Sequence, residues 1–143
     1  MRISKFEDIE SWKKARALTN EIYQATASGQ FVRDFGLKDQ INRASVSVLS
    51  NIAEGFERGG DKEFLQFLAV AKGSCGEVRA QLYVALDQGY FSADVFERLS
   101  KKATEVSRLI SGFMKYLNGR RFAEINTTKV FETLDIGRWT LDK

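Results

Sequence analysis

Between Phe64 and Ala85 an apolar or small side chain recurs at steps of four, three, four, three, four and three: Phe64, Leu68, Ala71, Cys75, Val78, Leu82 and Ala85. A strand alternates every second residue and cannot satisfy that spacing, whereas a helix at 3.6 residues per turn places all seven on one side. A seam of this kind needs a second helix to cover it. The same period recurs three more times. Phe6, Ile9, Trp12, Ala15, Leu18 and Ile22 mark a first helix over about Lys5 to Ser28, with Ser4 and Glu7 in S-x-x-E spacing at its start and Gly29 at its end. Leu37, Ile41, Ala44, Val48 and Ile52 mark a second, opened by Asp34 and reaching Phe56, with Gly55, Gly59 and Gly60 read as the following turn.

Asp61 fits as the cap of the third helix and Gly89 as its stop. Ser92 opens the fourth, flanked by Phe91 and Phe96 at the positions of a hydrophobic staple, and Val95, Leu99, Val106, Ile110, Phe113 and Leu117 point inward. Asn118-Gly119 reads as its end. The chain has no proline, where average usage of about 5% would give roughly seven, so these helices lack their strongest breaker. Four amphipathic helices of roughly 22 to 28 residues with short loops must pack as antiparallel neighbours. The expected fold is an all-α, up-and-down four-helix bundle over residues 1–119 with a C-terminal extension over 120–143. In that extension Thr127-Thr128-Lys129-Val130-Phe131 reads weakly as strand or irregular. Phe131, Leu134, Ile136 and Trp139 are too apolar for an inert tail, so docking on the bundle or on a neighbouring copy is expected, with a frayed, partly disordered end as the alternative.

Composition narrows the chemistry. With 143 residues, 43% of them hydrophobic and 29% charged, one core suffices without metals or disulfides. No apolar run approaches the ~20 residues of a membrane span, and the amino terminus has no apolar signal region, so a cytoplasmic address is expected. The chain contains no histidine, which removes the usual neutral-pH acid/base group, the commonest metal ligand and every Ser-His or Cys-His nucleophile. No enzymatic activity, no cofactor and no metal are expected. A ferritin-like centre would require Glu-x-x-His pairs. The single Cys75 sits on the third helix's apolar seam and reads as core packing. No phosphate-binding loop motif occurs.

Two polar patterns remain. On the second helix Gln40, Arg43, Ser47, Asn51 and Glu54 form a stripe beside the apolar one, answered on the third by Ser74, Glu77 and Gln81. Small residues at Ala44, Ser45, Gly73 and Gly76 suggest close approach of the two backbones, and Arg43 has Glu54 or Glu77 as possible partners. The leading reading is a network that fixes helix register or an oligomer contact; a ligand pocket and acid/base work by Glu54 and Glu77 are the alternatives. On the fourth helix Lys101, Arg108 and Lys115 recur every seven residues, with Arg98 and Lys102 near one end and Arg120 and Arg121 beyond the other. Together they describe a basic ridge about 30 Å long at ~1.5 Å per residue, interrupted by Glu105; it reads either as a solvated helix face or as a nucleic-acid interface, RNA being the partner such a ridge suits.

The residues Phe6-Glu7-Asp8-Ile9 with Trp12 and Ala15, Gln40-Ile41-x-Arg43-Ala44-x-Val46-Ser47, Ser50-Asn51-Ile52-Ala53-Glu54-Gly55, and Lys62-Glu63-Phe64 with Gly73-Ser74 downstream carry a resemblance. Over residues 5–118 the chain resembles the four-helix-bundle proteins encoded in intervening sequences of 23S ribosomal RNA genes. The Ser-Asn-Ile-Ala-Glu-Gly block is the specific part. That resemblance implies a cytosolic bundle, a homopentamer and no known enzymatic activity. The chain is also similar to accessory proteins of diversity-generating retroelements, which implies as an alternative a protein-binding subunit of a reverse transcriptase. Relatives often carry proline within the second helix where this chain has Leu49. The tail after Gly119 lies outside the shared pattern.

Overall fold

A computed structural model describes residues 3–134, and for Phe122 and residues 124–134 the backbone alone. Four helices account for nearly all of it: α1 Glu10–Thr26, α2 Phe35–Glu57, α3 Asp61–Asp87 and α4 Ala93–Leu134, with short 3-10 turns at Phe6–Asp8 and Phe31–Arg33. Each helix packs on its neighbour in sequence and α1 closes the square against α4. Their directions alternate. Ser47 meets Ser74 while Gln40 meets Gln81, so α2 and α3 run oppositely. Glu21 meets Arg98 while Lys14 meets Glu105, and the same holds for α1 and α4.

All seven seam residues of α3 are buried, and Ile9 just before α1, with Ala15, Leu18, Ile22, Ile41, Ala44, Val48, Ile52, Leu99, Val106, Ile110 and Leu117 from the other helices, joins them in one core. Helix period therefore placed the core correctly. Phe31, fully buried in the α1–α2 connection, belongs to it as well, its ring 5.0 Å from that of Tyr90 in a tilted contact and 6.0 Å from Phe91 edge to face. Between α1 and α2 the core is partly polar. Thr19 donates to the carbonyls of Ala15 and Ser45, and Thr26 bonds Asn42, so these buried groups are satisfied where water cannot reach.

Local signals at the helix ends were right in some places and wrong in others. Asp34 caps α2, its carboxylate accepting the Leu37 amide at 3.0 Å, and Ser92 does the same for Val95 at 3.2 Å. Gly89, at φ 73°, ends α3 in the left-handed region where only glycine is unstrained. The Ser4/Glu7 box, by contrast, does not open α1. That helix starts at Glu10 after Ile9, and the preceding 3-10 turn carries no side-chain cap.

Gly55 is not in a turn but inside α2 and buried, because a Cβ there would lie 2.6 Å from Phe67 Cβ and 2.9 Å from Phe64 Cδ1. Close approach of α2 and α3 is thus made at Gly55; Gly73 and Gly76 face open space. Asp61 is the first residue of α3 instead of its cap, and its carboxylate takes a bidentate bond from Arg120. Asn118-Gly119 does not end α4, which continues as helix through the segment read as strand, to Leu134. A glycine inside a helix costs only about 1 kcal/mol, less than the continuing backbone bonds and the Asp61–Arg120 pair supply. Ile136 and Trp139, with the side chains of Phe131 and Leu134, lie outside the described residues, so the expected docking of the tail does too.

Candidate nucleic-acid interface

A helix rotates 100° per residue, so positions seven apart return to nearly the same direction. Lys101, Arg108 and Lys115 accordingly share one exposed line of α4. None of the three makes an ion pair among the described residues. Lys101 and Arg108 border one open groove with Glu97 and Glu105, so the local field is mixed in sign, and Lys115 continues the line about two turns further on.

The remaining basic residues do not extend this line. Arg98 and Lys102 turn toward α1, where the two oxygens of Glu21 accept them at 3.1 and 3.0 Å. Arg120 turns toward α3. Its Nε and Nη2 donate to Asp61 at 2.9 and 2.6 Å, and its guanidinium lies 5.5 Å over the Tyr116 ring. The hydrogen bond to Asp61 holds the Arg120 pKa above its ordinary value, with burial opposing. Arg121, next to Arg120 and rotated a further 100°, lies off the ridge. The expected seven-residue ridge is therefore three exposed cations, three tethered ones and Arg121 off the line.

The polar stripe divides in the same way. Ser47 and Ser74 share a hydrogen bond of 2.8 Å between α2 and α3, and Asn51 donates to both the carbonyl and the hydroxyl of Ser47. Gln81 spans Gln40 and Glu77 at 3.5 and 3.4 Å. Arg43 pairs with neither Glu54 nor Glu77. It bonds Asp39 one turn back, while Glu54 takes Arg58 one turn ahead, both on the exposed surface. Arg43, Glu54 and Glu77 thus do not converge on a common cavity. Cys75 is fully buried and its thiol is pushed up to about 12, chiefly by desolvation and against the pull of Arg79. No cluster of three or more metal-ligating side chains occurs among the described residues, and no described helix is long and apolar enough to cross a membrane.

Sequence reasoning missed an apolar cleft of about 490 Å³ beside Arg108, floored by Ile3, Leu109, Phe113 and Tyr116 and open at Gly112. The buried Ser11 hydroxyl reaches it without a hydrogen-bond partner. No pattern in α4 alone could have revealed it, because the opposite wall comes from the segment before α1 and from the first turn of α1.

A protein of unknown function from the S23 ribosomal protein family of Bacteroides thetaiotaomicron has a solved structure of similar fold, with a TM-score of 0.68. The two sequences are 21% identical, and the alignment covers 73% of this chain and 98% of that one. Comparison with curated proteins finds no match. The profile of the 23S rRNA-intervening sequence proteins matches residues 7–112, from the turn before α1 through most of the bundled part of α4. With that match covering most of its length, and with the bundle its helical periods demand, this chain belongs to the 23S rRNA-intervening sequence protein family.

Proposed function

We propose that this chain is a non-enzymatic, self-associating cytoplasmic bundle that binds RNA through the outward line of α4. The observation that carries the RNA reading is that Lys101, Arg108 and Lys115 are exposed along one line with no carboxylate paired to them, whereas Arg98, Lys102 and Arg120 are tied into ion pairs within the fold. Successive cations stand about 10 Å apart along the helix, a spacing at which each can meet a different phosphate. The family's name, which ties its genes to 23S ribosomal RNA, supports the same class of partner.

Three contacts are few. With a salt slope of about 0.7 to 0.9 per phosphate, binding weakens roughly 20- to 40-fold between 50 and 200 mM salt. One copy is then a weak binder at physiological ionic strength. Self-association, as the pentamer that the family resemblance implies, repeats the line and raises the affinity through linked contacts.

Fluorescence anisotropy with a structured RNA, titrated across salt, tests this. The triple variant Lys101→Glu, Arg108→Glu, Lys115→Glu should lose salt-sensitive binding, while Arg98→Gln should change it little. Equal binding by the triple variant and the wild type would remove α4 as the interface.

A further inference from the structure

We infer that copies of this chain meet through the outward ridge of α3, related by rotation about an axis parallel to that helix. The inference rests on the self-association proposed above and adds to it a surface and an orientation. The inner seam of α3 is filled by its own bundle, yet its outer side is also poor in charge. From Ala69 to Val84 the outermost line reads Ala69, Gly73, Gly76, Ala80 and Val84, with exposed Val70 and Tyr83 beside it. Over some 22 Å of helix no charged residue stands on that line, whereas the corresponding line of α4 carries Lys101, Arg108 and Lys115. The exposed large apolar side chains follow the same asymmetry. Among the described side chains, Phe35, Val46, Val70, Tyr83 and Val84 lie on α2 and α3, against Tyr23 on α1 and Tyr116 on α4.

Gly73 and Gly76 leave room for a neighbour. Each costs about 1 kcal/mol relative to alanine inside a helix, and neither is required by its own fold. Their backbone is ordinary helix, and a Cβ at either position would meet nothing within 4 Å. With no side chain in the way, a second backbone can approach closely at this point of the ridge.

The charges at the two edges of the ridge identify that neighbour as a second copy. Glu77 lies on the α2 side, bonded to Gln81, which reaches Gln40. Lys72 and Arg79 lie on the α4 side, the side on which Tyr83 packs 4.8 Å from Phe96. Neither Lys72 nor Arg79 makes an ion pair among the described residues. When copies are related by rotation about an axis parallel to α3, the basic edge of one faces the acidic edge of the next, in a pair or in a larger ring. An antiparallel arrangement sets like charge against like and is disfavoured.

Light scattering on the full chain, with analytical ultracentrifugation for the dissociation constant, tests both surface and orientation. The wild type should be an oligomer at tens of micromolar. Gly73→Glu, and independently Ala80→Glu, should reduce the mass to a single chain while the helical circular dichroism is kept; Lys101→Glu on α4 should leave the mass unchanged. Glu77→Lys and Arg79→Glu should each weaken assembly at least about tenfold, and the double variant should restore it. An oligomer that survives both Gly73→Glu and Ala80→Glu overturns the α3 surface but leaves self-association standing. Failure of the double swap to rescue overturns the rotational arrangement. A wild type that is itself a single chain overturns both this inference and the self-association it builds on.

Discussion

A methyl group added at Gly55 and one added at Gly112 should move stability in opposite directions. At Gly55 the new carbon would lie 2.6 Å from a Cβ that cannot rotate away, so α2 and α3 must separate. We expect Gly55→Ala to destabilise by about 1–3 kcal/mol in urea unfolding, the range for overpacking a tight core. At Gly112 nothing lies within 4 Å, and alanine there should stabilise by about 0.5–1 kcal/mol by reducing the freedom of the unfolded chain. Sequence alone could not separate these two glycines, since Gly55 stands four residues before a true turn and its contacts come from α3. Asp34 was legible as a cap, but its second partner was not. The Leu37 amide first, then the Tyr90 hydroxyl, hold its carboxyl below the ordinary value of 3.8 against the effect of burial. A carboxyl depressed on folding adds stability that is fully present above its unfolded pKa and disappears as pH falls through the folded one. The stability gap between wild type and Asp34→Asn should accordingly narrow as pH drops from neutral toward about 3; a gap constant with pH would mean that the charge contributes nothing.

Among the helices, α3 was the most legible and α4 the least. The seven-residue seam from Phe64 to Ala85 leaves no other partner than a helix, and every position on it is buried. In α4, Asn118-Gly119 carries the composition of a stop, yet the helix runs past it to Leu134. What decides the matter is tertiary. Arg120, one residue beyond the glycine, is fixed by a two-point bond to Asp61, whose side chain is only 9% exposed and whose own helix begins there. Neither residue advertises the other across 59 positions. Because removal of the cation leaves a nearly buried carboxylate unpaired, Arg120→Ala should cost about 1–3 kcal/mol. Hydrogen exchange should show the loss concentrated in α4 after Gly112; an unchanged exchange pattern would assign the persistence of the helix to backbone propensity alone. The polar stripe divides along the same line. Its inner members, Ser47, Asn51 and Ser74, found one another, while Arg43 and Glu54 took partners one turn away, a competition among equally spaced charges that helix period cannot resolve.

Across the whole bundle the one thiol offers a reporter. Cys75 sits in the middle of the core with its ionisation pushed up to about 12, so only opening of the bundle can expose a reactive thiolate. At pH 8 a disulfide reagent should label the native chain on the order of 10³-fold or more slowly than the unfolded one, as expected for ordinary domain stability, and rapid labelling of native protein would mean that α3 opens locally. The alternation of helix direction has a further result. At the end where α1 and α3 finish and α2 and α4 begin, helix starts stand beside helix finishes, and the half-charges of opposite sign that these termini carry stand close enough to offset one another. A polyanion approaching that end along the long axis therefore feels little pull from the backbone. Attraction there must come broadside from lysine and arginine, which makes capture tunable by single surface substitutions that leave the scaffold intact.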